Sequence, residues 1–107
     1  MAHNANWVYM TAKDKKEAVM IGEKLVEAKL AACINIFDSI TSIFMWEGKV
    51  ENDTEVAFIA KTTADRVPEL VEMVRSLHSY EVPAIISLPV ENGHLDFINW
   101  ISESVAR

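Results

Sequence analysis

Residues 43–61 read IFMWEGKVENDTEVAFIAK, and their order predicts a β-hairpin. Glu47-Gly48 is a two-residue loop in which glycine is free to take positive φ. Behind it, Val56, Phe58 and Ala60 alternate with Ala57, Ile59 and Lys61, the two-residue period of a strand. Nearer the turn, Glu51, Asp53 and Glu55 fall on one face, and Glu55 shares that face with Lys61. In front of the turn, Ile43 to Trp46 is apolar on both faces, where a monomer's protruding hairpin would leave one polar.

Working outward, Cys33 to Phe37 (CINIF) starts the strand that Ile43–Trp46 continues, with a polar break at Asp38-Ser39. Trp7 to Thr11 (WVYMT) is rich in β-formers and reads as a first strand. Asp14 suits an N-cap, with Glu17 completing a capping box, and Ala18, Ile21, Leu25 and Ala28 follow at helical spacing. On the other side of the hairpin, Thr62 to Asp65 forms a hinge. Asp65 is the expected cap of a second helix, Pro68 sits in its first turn, and Val67, Leu70, Val71, Val74 and Leu77 form its apolar stripe. His78-Ser79-Tyr80 ends that helix. Ala84 to Leu88 (AIISL), between Pro83 and Pro89, reads as a fourth strand buried on both faces. Asn92-Gly93 makes a turn, and His94 to Val105 forms a third helix. The order is β-α-β-β-α-β-α over a single domain, residues 1–107. This is an α+β chain of the ferredoxin-like, split βαβ kind, with an additional C-terminal helix.

Composition narrows the function. Ten basic residues stand against sixteen acidic ones, a formal charge of −6. A phosphate backbone would be repelled, and Asp14 and Glu17 dilute the densest basic group, Lys13, Lys15 and Lys16, so no nucleic-acid partner is expected. No run approaches the roughly 18 apolar residues of a membrane span, and Met1–Asn6 lacks the pattern of a signal peptide. Cys33 is the single cysteine. A reducing compartment fits it, and a cytoplasmic location is the expectation. No Gly-rich phosphate loop, GxSxG, HExxH or CxxC occurs, so no enzymatic activity is expected. Leu95, Phe97, Ile98, Trp100 and Ile101 spread over more than one helical stripe. With the two-faced hairpin strand, they point to an oligomer.

Taken in order, several motifs carry a resemblance: Thr11-Ala12, KLAACINI at 29–36, TSIFMWEGK at 41–49, Lys61-Thr62-Thr63, HSYEVP at 78–83 and DFINW at 96–100. From about Trp7 to Trp100 the chain resembles the CutA family of divalent-cation tolerance proteins. The resemblance implies a ferredoxin-like protomer in a homotrimer and a link to divalent metal, above all copper, tolerance. It requires no cofactor and admits copper or another divalent cation as a bound ion. It also implies a metal ligand at His78, with a second His just before it and a Cys just before Thr11-Ala12, positions that here hold Leu77 and Met10. Methionine sulfur holds Cu(I) but binds Cu(II) and Zn(II) poorly, so the position has lost its thiolate. A helix-end role for His78 competes with the metal role.

Trp46, Glu55, Lys61, Tyr80 and Glu81 form a second candidate group. They read either as anchors holding the oligomer together or as a cleft between subunits in which Lys61 meets an anion. Ala84 replaces the carboxylate that the family pattern carries before Ile85. Cys33 reads as a small buried hydrophobe, and His94-x-Asp96 suits a helix start as well as it suits metal binding. Two other functions stand beside metal tolerance: a trimeric small-molecule sensor resembling the PII signalling trimers, and a trimeric scaffold or anchoring protein.

Overall fold

The computed structural model describes residues 3–107. Its first strand, β1 (Ala5–Ala12), is followed by helix α1 (Lys15–Glu27), strands β2 (Cys33–Trp46) and β3 (Lys49–Thr63), helix α2 (Val67–Leu77), strand β4 (Ile85–Pro89) and helix α3 (Leu95–Ser104). The sheet order is β2-β3-β1-β4, antiparallel at each pairing, as the split βαβ pattern requires.

Local chemistry starts and stops these elements. The Asp14 carboxylate accepts the Glu17 N–H at 2.8 Å, and Glu17 Oε1 accepts the Lys13 N–H at 3.1 Å, so the capping box closes one residue early. Helix α1 ends at Glu27, before Ala28, which is exposed; the buried face is Ala18, Ile21, Gly22 and Leu25. Gly22 is there because a Cβ would stand 3.2 Å from two Ile34 carbons on β2. The turn at Glu47-Gly48 has φ of 49° and 80°, the paired positive angles of a type I′ hairpin. Asp38-Ser39 does not end β2. The strand runs on, and the pairing register slips between Phe37 and Ile40, the signature of a bulge. Asp65 does not cap α2. It lies in a 3-10 turn, Ala64–Arg66, and accepts a hydrogen bond from Asn4 Nδ2 at 3.0 Å.

The core lies between α1, α2 and one face of the sheet. Val8, Met10, Phe58 and Ala60 from β1 and β3 meet Ile21, Leu25, Leu70 and Val74 from the helices, all fully buried. Alternation then turns Trp7, Tyr9, Thr11, Ala57, Ile59 and Lys61 to the opposite face. There Lys61 Nζ lies 5.5 Å from the centre of the Phe97 ring of α3, and Phe97 stacks on Trp100 at 5.5 Å.

The expectation for β4 is corrected. It starts at Ile85, and as an edge strand it leaves Ile86 58% and Leu88 52% exposed. Of the run only Ile85 packs against the core, and it is half-buried. The hairpin projects in the same state, with Met45 65% and Trp46 57% exposed, and it draws the molecule out to 47 × 25 × 22 Å.

Candidate functional site

Three elements meet where α2 ends. Its last residue, Leu77, is followed by His78, whose backbone N–H still bonds to Val74 O. The chain then turns outward, driving the imidazole between the end of β1 and the start of α1. The side chain is fully buried. Nδ1 accepts the Tyr80 N–H at 3.0 Å, so the ring proton sits on Nε2, which donates to Thr11 O at 2.7 Å. Both nitrogens are therefore committed to backbone groups, and neither presents a lone pair to a metal.

Glu17 lies beside it, with Oε2 4.0 Å from His78 Nδ1 and accepting the Ser79 N–H at 2.8 Å. Burial pushes the Glu17 carboxyl up. Hydrogen bonds from Ser79 and Lys13, together with the neighbouring His78, outweigh that and hold it below its ordinary value. Its role was not visible in the sequence beyond the cap, because the Ser79 contact joins residues 62 apart.

Tyr80 carries the arrangement outward. Its ring packs on His78 at 4.8 Å between centres, and its hydroxyl donates to Glu55 Oε2 at 2.8 Å. Burial and the Glu55 hydrogen bond push the phenol far above its ordinary range, so it stays protonated and donating. Beyond it opens a groove of about 640 Å³ between the hairpin and the loop that follows α2. Trp46, Glu55, Tyr80 and Glu81 all line it, so the structure brings these four candidates together. Lys61 is not with them. It stands six residues further along β3, roughly 20 Å away, in register with Trp7 and Cys33. Glu51 and Asp53 line the groove instead, and no lysine or arginine does. Within one chain the groove is acidic and aromatic and does not favour an anion.

The remaining candidates stay apart. His94 Nε2 and Asp96 lie 3.9 Å from each other, both exposed. Cys33 is half-buried, not buried as expected. Among the described residues, no three His, Cys, Asp or Glu side chains converge as a metal-holding group. The donor set of a single chain thus does not fit a closed copper or divalent-cation centre.

The fold and the site define a class: a split βαβ protein with an added C-terminal helix, an open apolar sheet face and an acidic groove at a long hairpin. The family model for the CutA1 divalent ion tolerance protein matches residues 6–104, and the chain belongs to that family. The divalent-cation tolerance protein CutA of Archaeoglobus fulgidus is 46% identical over 100 residues, covering 94% of this chain and 97% of its own. The mouse protein CutA is 44% identical over 102 residues, covering 92% of this chain; the match spans 58% of the mouse protein. The crystal structure of the divalent ion tolerance protein CutA1 from Ehrlichia chaffeensis superposes with a TM-score of 0.93 at 37% identity, over the full length of both chains. The structure of the periplasmic divalent cation tolerance protein CutA from Archaeoglobus fulgidus gives 0.92 at 46% identity, covering 94% of this chain and 98% of its own. Among the described residues no helix is long and apolar enough to cross a membrane.

Proposed function

We propose that this protein serves divalent-cation tolerance as a homotrimer. In this reading it binds copper weakly, at exposed carboxylates such as Glu51 and Asp53, with no dedicated centre at His78. The observation that carries this reading is the state of His78, whose two nitrogens are both spent on backbone partners. A tight Cu(II) site needs free imidazole or thiolate donors held together. Scattered carboxylates offer only electrostatic attraction, reinforced by the net charge of −6.

Self-association is supported by the surface. Trp7, Ile86 and Leu88 on the open sheet face, with Phe97 and Trp100 on α3, leave apolar area in water. The sheet also ends in two unpaired edges, β2 and β4. A β2 edge that meets the β4 edge of the next copy is a head-to-tail contact, which forms a ring when the rotation between copies closes.

Calorimetric titration of metal-stripped, tag-free protein with Cu(II) and Cu(I), with Glu51→Gln/Asp53→Asn and His78→Gln in parallel, tests the metal reading. The expected result is weak binding that falls in the carboxylate variant and persists in His78→Gln. Tight binding at one ion per protomer, lost in His78→Gln while the fold is retained, would contradict it.

A further inference from the structure

The groove beside the hairpin holds negative charge that this chain does not answer. Glu55 is 8% exposed, and its Oε2 accepts the Tyr80 hydroxyl. Among the described residues, Oε1 accepts no hydrogen bond, and the buried side-chain atom left without a partner is Thr62 Oγ1. Glu55 Oε1 is therefore not sealed inside the protein and opens to the groove that Glu55 lines. A carboxylate this buried is ordinarily paired with a cation. Here the other charged residues lining the groove are Glu51, Asp53 and Glu81, all of the same sign.

Those charges are strung out rather than gathered. Glu51, Asp53 and Glu55 alternate along β3, so their Cα atoms follow one another at about 6.8 Å and the row spans roughly 13 Å. Aromatic faces stand beside the row. Phe44 pairs with Glu51 across the hairpin, and Trp46 lies two residues further on, on the same face of β2. Both rings are exposed, and Tyr80 closes the inner end of the groove. A metal ion is a point charge and uses neither the spacing nor the rings. A Lys or Arg side chain from a protein partner offers one charge and leaves the rest of the row unanswered. An alkyl chain with ammonium groups at intervals uses both features: the ammoniums meet carboxylates, and the methylenes lie against the rings.

We propose that this groove of about 640 Å³ binds an aliphatic polyamine, its inner ammonium at the free Oε1 of Glu55, its outer ammonium at Glu51, and its stem along Phe44 and Trp46. The Tyr80 hydrogen bond at Oε2 stays in place, since the two carboxylate oxygens are separate acceptors. The net charge of −6 draws any cation toward the protein, so preference for spaced ammoniums is what marks the site. The proposal does not rest on the copper reading. It shares Glu51 and Asp53 with that reading, and Glu55 and Trp46 separate the two.

The experiment is a calorimetric titration of the full-length, assembled, metal-free protein with spermidine at about 0.15 M salt, where diffuse attraction is screened. Butylamine and Mg(II) serve as single-ammonium and point-charge probes. The expected result is saturation at one spermidine per protomer, about tenfold or more tighter than either probe, with the Trp46 indole N–H signal shifting along the same curve. Glu55→Gln keeps an acceptor for Tyr80 and should weaken spermidine about tenfold. Trp46→Leu should weaken it about threefold and leave Cu(II) binding unchanged. Spermidine binding of this kind in a protein that takes up no copper would support the groove and remove the copper reading alone. Mg(II) binding as tightly as spermidine would overturn the proposal. So would the absence of saturable spermidine binding, or an affinity indifferent to both variants.

Discussion

At the scale of single residues, Glu17 and Tyr80 turn a helix end into a built site. Glu17 is nearly buried and satisfies two backbone N–H groups, those of Lys13 and Ser79. Glu17→Ala should cost about 1–3 kcal/mol of unfolding free energy in urea at neutral pH, since both donors lose their acceptor. The pH dependence has a definite sign. The carboxyl titrates lower in the folded protein than in the unfolded chain, so its contribution is present above the ordinary carboxylate range and is lost as pH falls through the lowered folded value. The gap between wild type and Glu17→Ala should therefore narrow under acid. Tyr80→Phe leaves Glu55, 8% exposed, without its phenolic donor; a loss of about 1.5–3 kcal/mol is expected in the same assay, as for a hydrogen bond to a charged group. The sequence shows that His78 ends a helix and that Glu17 caps one. It does not show that the two meet, because contact across 62 residues depends on how α1 and α2 cross the sheet, and no local pattern records that.

At the scale of elements, legibility followed the source of each signal. The hairpin turn was readable because Glu47-Gly48 is a local requirement of the backbone, and the α2 stripe because 3.6-residue spacing is local too. The fourth strand was read as doubly buried, and it is an edge. A uniformly apolar run tells of burial without telling whether the same chain provides it. Asp38-Ser39 looked like a break because polar residues interrupt β-formers, yet a bulge accommodates them within one continuous strand. The chain leaves α1 through Lys29 at φ 59°, with its N–H bonded to Val26 O and the Leu30 N–H to Leu25 O. That is a left-handed helix exit occupied by a residue with a Cβ. Lys29→Gly should stabilise the protein by about 0.5–1 kcal/mol in urea unfolding at fixed protein concentration. Gly48→Ala, at φ 80°, should destabilise it by a similar amount.

At the scale of the whole molecule, the core is complete on the helix side of the sheet and unfinished on the other. Trp7, Ile86, Leu88 and the outward hairpin side chains leave apolar surface that the chain itself does not cover, and the sheet ends in two free edges. The groove sits at that hairpin. In one chain the groove lining is acidic, and Lys61 stands about 20 Å away along β3. Leu88→Lys places a charge on the open face and should lower the assembled mass while leaving the far-ultraviolet circular dichroism of the protomer intact. The most direct measurement is sedimentation equilibrium of the untagged protein at micromolar concentration. The prediction is one species at three times the 12.0 kDa chain mass. A folded species at the chain mass itself would contradict the central claim that copies of this chain cover its open face.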